Sequence, residues 1–460
     1  MSNDASTTKV SGTFSVSPNR SIYGELTLGG RNISLYLRDD RNFNVYKIPD
    51  RCILGTLHDL RQISLIDCES PGPGMAGTES GAYHFAKFHA HYSVIGLRHL
   101  RPTEKIITQI AFVMDDASTL FYDIDAFSIV HNPQKFIQQL VLDNAEALGR
   151  TIPTGPEPLI CYFTGNKEIV AAETVIGRIS VAHSPSFNMD GPNGVRINNK
   201  IFVCIDFRLP RRFTQAIMNI IAPLQFFAIL VGRAQNLSKV SIRVEASDER
   251  PCVLEVKWGS QAPRCEPPEK GEKPHPADVL MDAVHDPTGF SRVLANWLDR
   301  HQTWENARGR FASSFVKQNE FSFDRLIGAA NMFDILPSSV VPRELPLAEK
   351  IRRQAGRIVE TIGDQFPDLT WVIDEAVACR VYYVHGGQPR FNYNRHFASV
   401  IFLTRTLEFV FAATDLIQAG WNAKAWSERA TVGSHFFSRY LLNYAAELRN
   451  LKALTRAQEG

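Results

Sequence analysis

Residues 261–276 read QAPRCEPPEKGEKPHP, and on either side of this stretch the chain has a different periodicity. Its density of Pro, Glu and Lys leaves too little apolar surface to fold alone, so it reads as a linker. N-terminal to it, β-prone runs at 21–28, 33–37, 52–57, 64–67, 92–97, 106–112 and 159–163 are separated by Gly, Asp, Asn or Pro, and Gly29-Gly30 and Asp39-Asp40 supply turn chemistry. The strand pattern continues through 170–205, turns helical at 214–235 and ends in a strand pair at 240–244 and 252–256. C-terminal to the linker, apolar residues recur at i, i+3, i+4 over 289–300, 311–336, 345–365, 369–385, 393–418 and 423–454, punctuated by Pro337, Pro342, Pro346, Pro367 and Pro389. The expected fold class is α+β multidomain, a β-rich N-terminal region, sandwich or barrel-like, followed by an all-α helical bundle. The expected segments are a β-rich domain at 1–150, a second α+β part at 151–260, the linker at 261–276 and the helical domain at 277–460.

At 460 residues the chain exceeds what one core usually needs, and its 44% apolar and 21% charged residues exclude a disordered or fibrous protein. Fifty Lys and Arg against 48 Asp and Glu leave a charge of +2, so non-specific coating of nucleic acid is excluded and any such contact is local. The polar residues 1–11 lack the apolar run of a secretory signal. The most apolar stretch, 213–231, carries Gln215, Asn219, Pro223 and Gln225 and reads as a buried helix rather than a membrane span. A cytoplasmic protein with no membrane partner is expected. Seven cysteines without a CxxC pair suggest reduced thiols, neither a disulfide framework nor a zinc ribbon. The sequence has no Walker A loop, GxSxG elbow or GxGxxG turn, so nucleotide hydrolysis, esterase chemistry and dinucleotide binding have no support.

The chemistry is concentrated in VACRVYYVHGG, residues 377–387, where Arg380 and His385 stand near the end of an expected helix that Gly386-Gly387 stops. When an RNA 2′-hydroxyl attacks its own phosphodiester, a histidine can move the proton near neutral pH and an arginine can stabilise the charge on the phosphoryl oxygens. Neither role needs a metal or a cofactor, and none is expected. A five-residue step turns a helix by about 140°, so the pair does not share one face, and unwinding at Gly386 or contributions from two subunits are expected to reconcile them. Arg390 with His396 and Arg429 with His435 have similar spacings. The first pair is favoured by the long amphipathic helix before it, by the Gly turn and by Asp374 and Glu375, acids of the sort that orient an arginine. Tyr382 and Tyr383, with Tyr393 nearby, are candidates to stack unpaired RNA bases, with core packing as the alternative. Arg390, Arg395 and Arg405 are candidates for phosphate contacts or plain solvated charges. His84, His89 and His91 lack a nearby acid or Cys at useful spacing, so metal binding is not expected there, and Cys379 reads as a small hydrophobe.

The Arg380–His385 segment resembles the signature of the HEPN ribonucleases: Arg, four to six residues, then His, commonly followed by Gly. In the N-terminal half, SIYGELTL (21–28), ISLYL (33–37) and LGTLHDLRQISLIDC (54–68) are similar to the N-terminal β domain of ApeA-type phage-defence proteins. The two resemblances cover most of the chain, in the right order. They imply an endoribonuclease of abortive anti-phage defence, acting on cellular RNA with tRNA as a candidate target and a phage protein as a candidate trigger. They also imply a homodimer with a composite site where two copies of the motif helix meet. Val381 departs from the polar residue, such as Asn or Asp, that the family usually has there. The alternatives are a HEPN module that binds RNA or a nucleotide without cutting it, and a phage-sensing scaffold whose bundle only oligomerises.

Overall fold

The computed structural model describes residues 7–17, 20–29, 33–41, 48–78, 81–131, 133–151, 155–157, 159–189, 191–245, 252–259, 273–317 and 322–459. Most of the linker expected at 261–276 therefore lies outside the described residues. The strands are β1 (Thr8–Ser17), β2 (Arg20–Leu28), β3 (Ile33–Asp39), β4 (Ile53–Leu57), β5 (Gln62–Glu69), β6 (Pro73–Thr78), β7 (Gly81–Gly96), β8 (Ile107–Met114), β9 (Phe127–His131), β10 (Leu159–Phe163), β11 (Glu168–Thr174), β12 (Gly177–Met189), β13 (Val195–Arg211), β14 (Leu237–Val244) and β15 (Cys252–Trp258). The helices of the first half are α1 (Ala117–Leu120), α2 (Gln134–Leu148), α3 (Phe213–Met218) and α4 (Ile221–Val231). The second half holds α5 (Pro287–Asp299), α6 (His301–Phe315), α7 (Phe323–Asp334), α8 (Leu347–Ile362), α9 (Leu369–His385), α10 (Phe397–Ala419), α11 (Ala423–Ser427) and α12 (Phe436–Glu459).

The β half is a barrel joined to an open sheet. The strand order β7-β3-β2-β1-β4-β5 returns to β7 through β5, which closes an antiparallel barrel. From β7 the sheet runs on through β15, β14, β8, β13, β12 and β11. β7 is long enough to serve both: its residues 84–90 pair with β3, and residues 92–95 pair with β15. Alternation with a period of two sends Phe14, Ile22, Leu26, Leu35, Leu37, Ile63, Leu65 and Phe88 into the barrel. Gly55 is required there, because a Cβ at that position would come within 2.5 Å of Phe14 Cδ1. The sheet also crosses position 150, since β8 pairs with both β13 and β14.

The open sheet and the helical half share a second core. Phe121, Phe226, Phe227 and Phe290 pack as one aromatic group, and Phe226 also meets Trp297. α5 lies on β11, where Ser291 Oγ donates to the Ala171 carbonyl at 2.8 Å. α10 forms the axis of the bundle and is buried along most of its length. Two acids on it hold neighbouring helices: Asp415 takes a bidentate bond from Arg308 on α6, and Glu408 accepts from Arg325 on α7 and Ser314 on α6.

The structure corrects several element boundaries. The stripe at 311–336 is the end of α6 and then α7, and the one at 423–454 is α11 and α12 with a loop between them. Asp278 organises that loop, its carboxylate accepting from Thr431, Val432 and Ser434. Strands β1, β6 and β9 and helix α2 had no counterpart in the sequence reading. The apolar stretch 213–231 forms α3 and α4, most of whose residues are buried within the fold.

Candidate active site

α9 presents Leu369, Val372, Ile373, Ala376 and Cys379 to the bundle, the i, i+3, i+4, i+7 stripe of a core-facing helix. It runs without a break from Leu369 to His385, and Gly386 ends it at φ 69°, its N–H bonding back to the Tyr382 carbonyl. Arg380 is half-buried and His385 exposed on this last turn. Arg380 Nη1 lies 3.4 Å from His385 Nε2 within one chain. The long arginine side chain spans the difference in angle, so unwinding of the helix is not what brings the pair together. Arg380 Nη2 donates to Asn331 Oδ1 on α7 at 3.3 Å, which fixes the guanidinium from the other side. Its Nε is buried with no hydrogen-bond partner.

The two acids before the motif serve other arginines. Asp374 pairs with Arg352 on α8 at 2.6 Å, and the fully buried Glu375 accepts from Arg390 at 2.5 Å. Arg390 thereby pins the loop after α9 to the helix, although its side chain remains half exposed. Arg395 is exposed, and its guanidinium has no partner among the described residues. Arg405 is half-buried on α10 beside Arg325 and Arg439, and burial pulls its pKa down.

The tyrosines form one aromatic group. Tyr383 stacks on Phe323 at 3.9 Å, Tyr382 meets Tyr383 and Tyr393 at 4.9 and 5.2 Å, and Tyr393 also packs on Phe391. The face of Tyr383 against Phe323 is therefore closed to a base. Burial pushes the Tyr393 phenol up to about 12, and the Cys379 thiol also to about 12, so both stay neutral.

Neither rival pair meets. His435 is fully buried, its Nε2 bonded to the Ile229 carbonyl and its Nδ1 accepting from the Phe437 N–H; burial lowers its pKa to about 4. Arg429 donates to the Val279 carbonyl instead. Arg390 is held by Glu375, while His396 packs beside Phe391 at the start of α10. His91, of the histidine group on β7, bonds to Asp67 on β5 at 3.1 Å. Among the described residues, no group of three or more His, Cys, Asp or Glu is placed to hold a metal.

Comparison with known families bears on both halves. The profile of ApeA N-terminal domain 1 matches residues 3–297, well over half of the chain. The chain belongs to the ApeA family. The profile of the Apea-like HEPN domain matches residues 291–425, a span that contains Asn331, Arg380 and His385 and stops before His435. A HEPN domain is typically a ribonuclease, which is the class of activity the Arg380–His385 contact can perform. No curated protein and no solved structure matches the chain. Asn331 is the site residue that sequence reasoning missed: it lies 49 positions before Arg380, and no spacing links the two.

Proposed function

We propose that this ApeA protein is a metal-independent endoribonuclease acting in abortive anti-phage defence, with Arg380 and His385 as the catalytic pair. The observation that carries the reading is their contact at the exposed end of α9. In this mechanism His385 accepts the proton of an RNA 2′-hydroxyl as its oxygen attacks phosphorus, and Arg380 stabilises the charge on the phosphoryl oxygens. The P–O5′ bond breaks, the His385 imidazolium returns its proton to the departing 5′-oxygen, and the products carry 2′,3′-cyclic phosphate and 5′-hydroxyl ends. Arg395 contributes a phosphate contact. A second copy of the chain meets α9 through its outer face, where Val381 and Val384 are exposed, and this homodimer sets two Arg–His pairs side by side. Cellular RNA is the substrate, with tRNA the first to test, and a phage protein is the trigger.

Incubation of full-length protein with total RNA in EDTA tests this. Cleavage that persists in EDTA, leaves cyclic phosphate ends and spares DNA is the expected result. Products with 5′-phosphate ends, or a requirement for Mg²⁺, would overturn the mechanism. RNA binding without cleavage would favour a non-catalytic HEPN module, the reading that Val381 in place of a polar residue keeps in view.

A further inference from the structure

The alternation that fills the barrel also sets what faces away from it: Tyr23 on β2, Tyr36 and Arg38 on β3, and Phe85 and Lys87 on β7 all point outward. The register puts Tyr36 beside Lys87 and Arg38 beside Phe85. Tyr36 stacks on Phe85 at 5.8 Å with 28° between the planes, and Tyr83 meets Phe85 at 6.3 Å. Opposite Phe85 on β6 stands Gly74, where a Cβ would collide with Phe85 Cζ, so that ring lies over bare backbone. The Arg38 guanidinium lies 3.7 Å over the Tyr83 ring. Phe85 and Tyr83 are half-buried and form a floor whose faces are partly taken. Tyr23 and Tyr36 stand above it with 65% and 39% of their surface open to solvent.

The charges around these rings decide what they fit. Arg38 and Lys87 are exposed, and among the described residues neither pairs with a carboxylate. Lys9 lies on the same face, opposite Thr27 of β2. Glu25, beside Tyr36, is the single acid among the outward residues of β1, β2, β3 and β7. Open rings accept a flat partner, and unpaired cations around them attract a polyanion. Single-stranded nucleic acid is both, since its bases are free to stack and its backbone is charged at every nucleotide. In a duplex the base faces are closed to such rings. With a net charge of only +2 the chain can bind nucleic acid through a local patch, and this face is one.

We propose that the outer face of β2, β3 and β7 binds single-stranded RNA, with unpaired bases stacked on Tyr23 and Tyr36 and phosphates held by Arg38 and Lys87. The choice of RNA rests on the ribonuclease reading, and the surface goes beyond it: a second contact, in the other half of the chain from Arg380 and His385, that holds RNA without cutting it. A fluorescein-labelled 2′-O-methyl oligouridylate is the probe, titrated into full-length wild-type protein and followed by anisotropy. It has no 2′-hydroxyl to attack phosphorus, so binding is read without cleavage. Saturable binding is expected, with unlabelled duplex RNA competing at least about tenfold less well than unlabelled single strand. Tyr23→Ala and Tyr36→Ala should each weaken binding about tenfold, while Tyr36→Phe, which keeps the ring, binds like wild type. Lys87→Gln should lower the slope of log affinity against log salt by about 0.7, the share of one phosphate contact. The two tyrosines lie on different strands, so misfolding of one variant, read from its melting temperature, does not decide the result. Absence of saturable binding, or wild-type affinity in both alanine variants, overturns the surface. Protein that cuts RNA but is indifferent to both alanine substitutions overturns this surface alone. Protein that binds through the tyrosines but cuts no RNA supports the surface and overturns the ribonuclease reading.

Discussion

Arg380 and His385 touch at 3.4 Å although five residues separate them on an uninterrupted helix. In the proposed mechanism each chain thus brings one proton-transfer group and one charge-stabilising group to the site. Arg380→Ala and His385→Ala should each lower RNA cleavage by about 10² to 10⁴, the usual loss on removing a general acid or base. Because His385 is exposed and Arg380 half-buried, each truncation should cost only about 1 kcal/mol of stability. Cleavage assays on labelled tRNA together with thermal melts separate the two effects. His396→Ala is the control expected to cut like wild type, and near-normal cleavage by His385→Ala would move the site elsewhere.

Asn331 Oδ1 accepts a hydrogen bond from the Arg380 guanidinium, which in the proposed mechanism makes it a positioning residue. Asn331→Ala should reduce kcat by about tenfold with little change in KM, the effect of one lost hydrogen bond worth roughly 1.4 kcal/mol. Asn331→Asp, which keeps an acceptor, should restore most of the rate. A loss expressed in KM alone would show that Asn331 contacts RNA instead.

His435 ties stability to pH. Burial lowers its pKa to about 4 from the ordinary 6.5, so below pH 6.5 the unfolded chain takes up a proton that the folded chain refuses. Stability from this group is full above pH 6.5 and falls as pH drops toward 4, by roughly 3 kcal/mol in all. Burial raises the Asp278 carboxyl, but bonds from Thr431, Ser434 and Val432 outweigh it and hold the pKa at about 2; its contribution is present above 3.8 and is lost as pH falls through 2. Urea midpoints between pH 7 and 4.5 should decline in wild type and decline less steeply in His435→Gln.

Asp415 anchors Arg308 and Arg300 inside the bundle, and the Arg308 guanidinium also lies over the Trp297 ring at 3.6 Å. Asp415→Ala leaves a buried guanidinium without its carboxylate and should cost about 3–5 kcal/mol in urea unfolding. A loss below about 1 kcal/mol would mean that water reaches the pair.

Much of this was legible from local pattern. The extent of α9 was read to the residue, and the strand runs 21–28 and 159–163 fall on β2 and β10. β1 was not read because its TKVSGTFSVS alternation sets Ser and Thr outward against an inward face that includes Gly12 and few large apolar residues. Closure of the barrel through β5 and β7, and the return of β1 to β4, are distant pairings that no window of sequence contains. Within the site, adjacency misled: Asp374 and Glu375 point to Arg352 and Arg390, because a helix sends neighbouring residues to different faces. The Arg–His contact was underestimated for a related reason, since an angle between Cα positions ignores the reach of an arginine.

The aromatic group that joins Phe121, Phe226 and Phe227 to Phe290 has a consequence for how such chains can be recombined. The ApeA N-terminal profile runs to residue 297, past the Pro-rich stretch and through most of α5. The Apea-like HEPN profile begins at residue 291, so the two matches overlap within α5, the helix that carries this aromatic seam. A chimera spliced within 261–276 would part Phe290 and Trp297 from Phe226, whereas one joined between α5 and α6 would keep those contacts but part Trp297 from Arg308, so either junction needs both parents to match across α5.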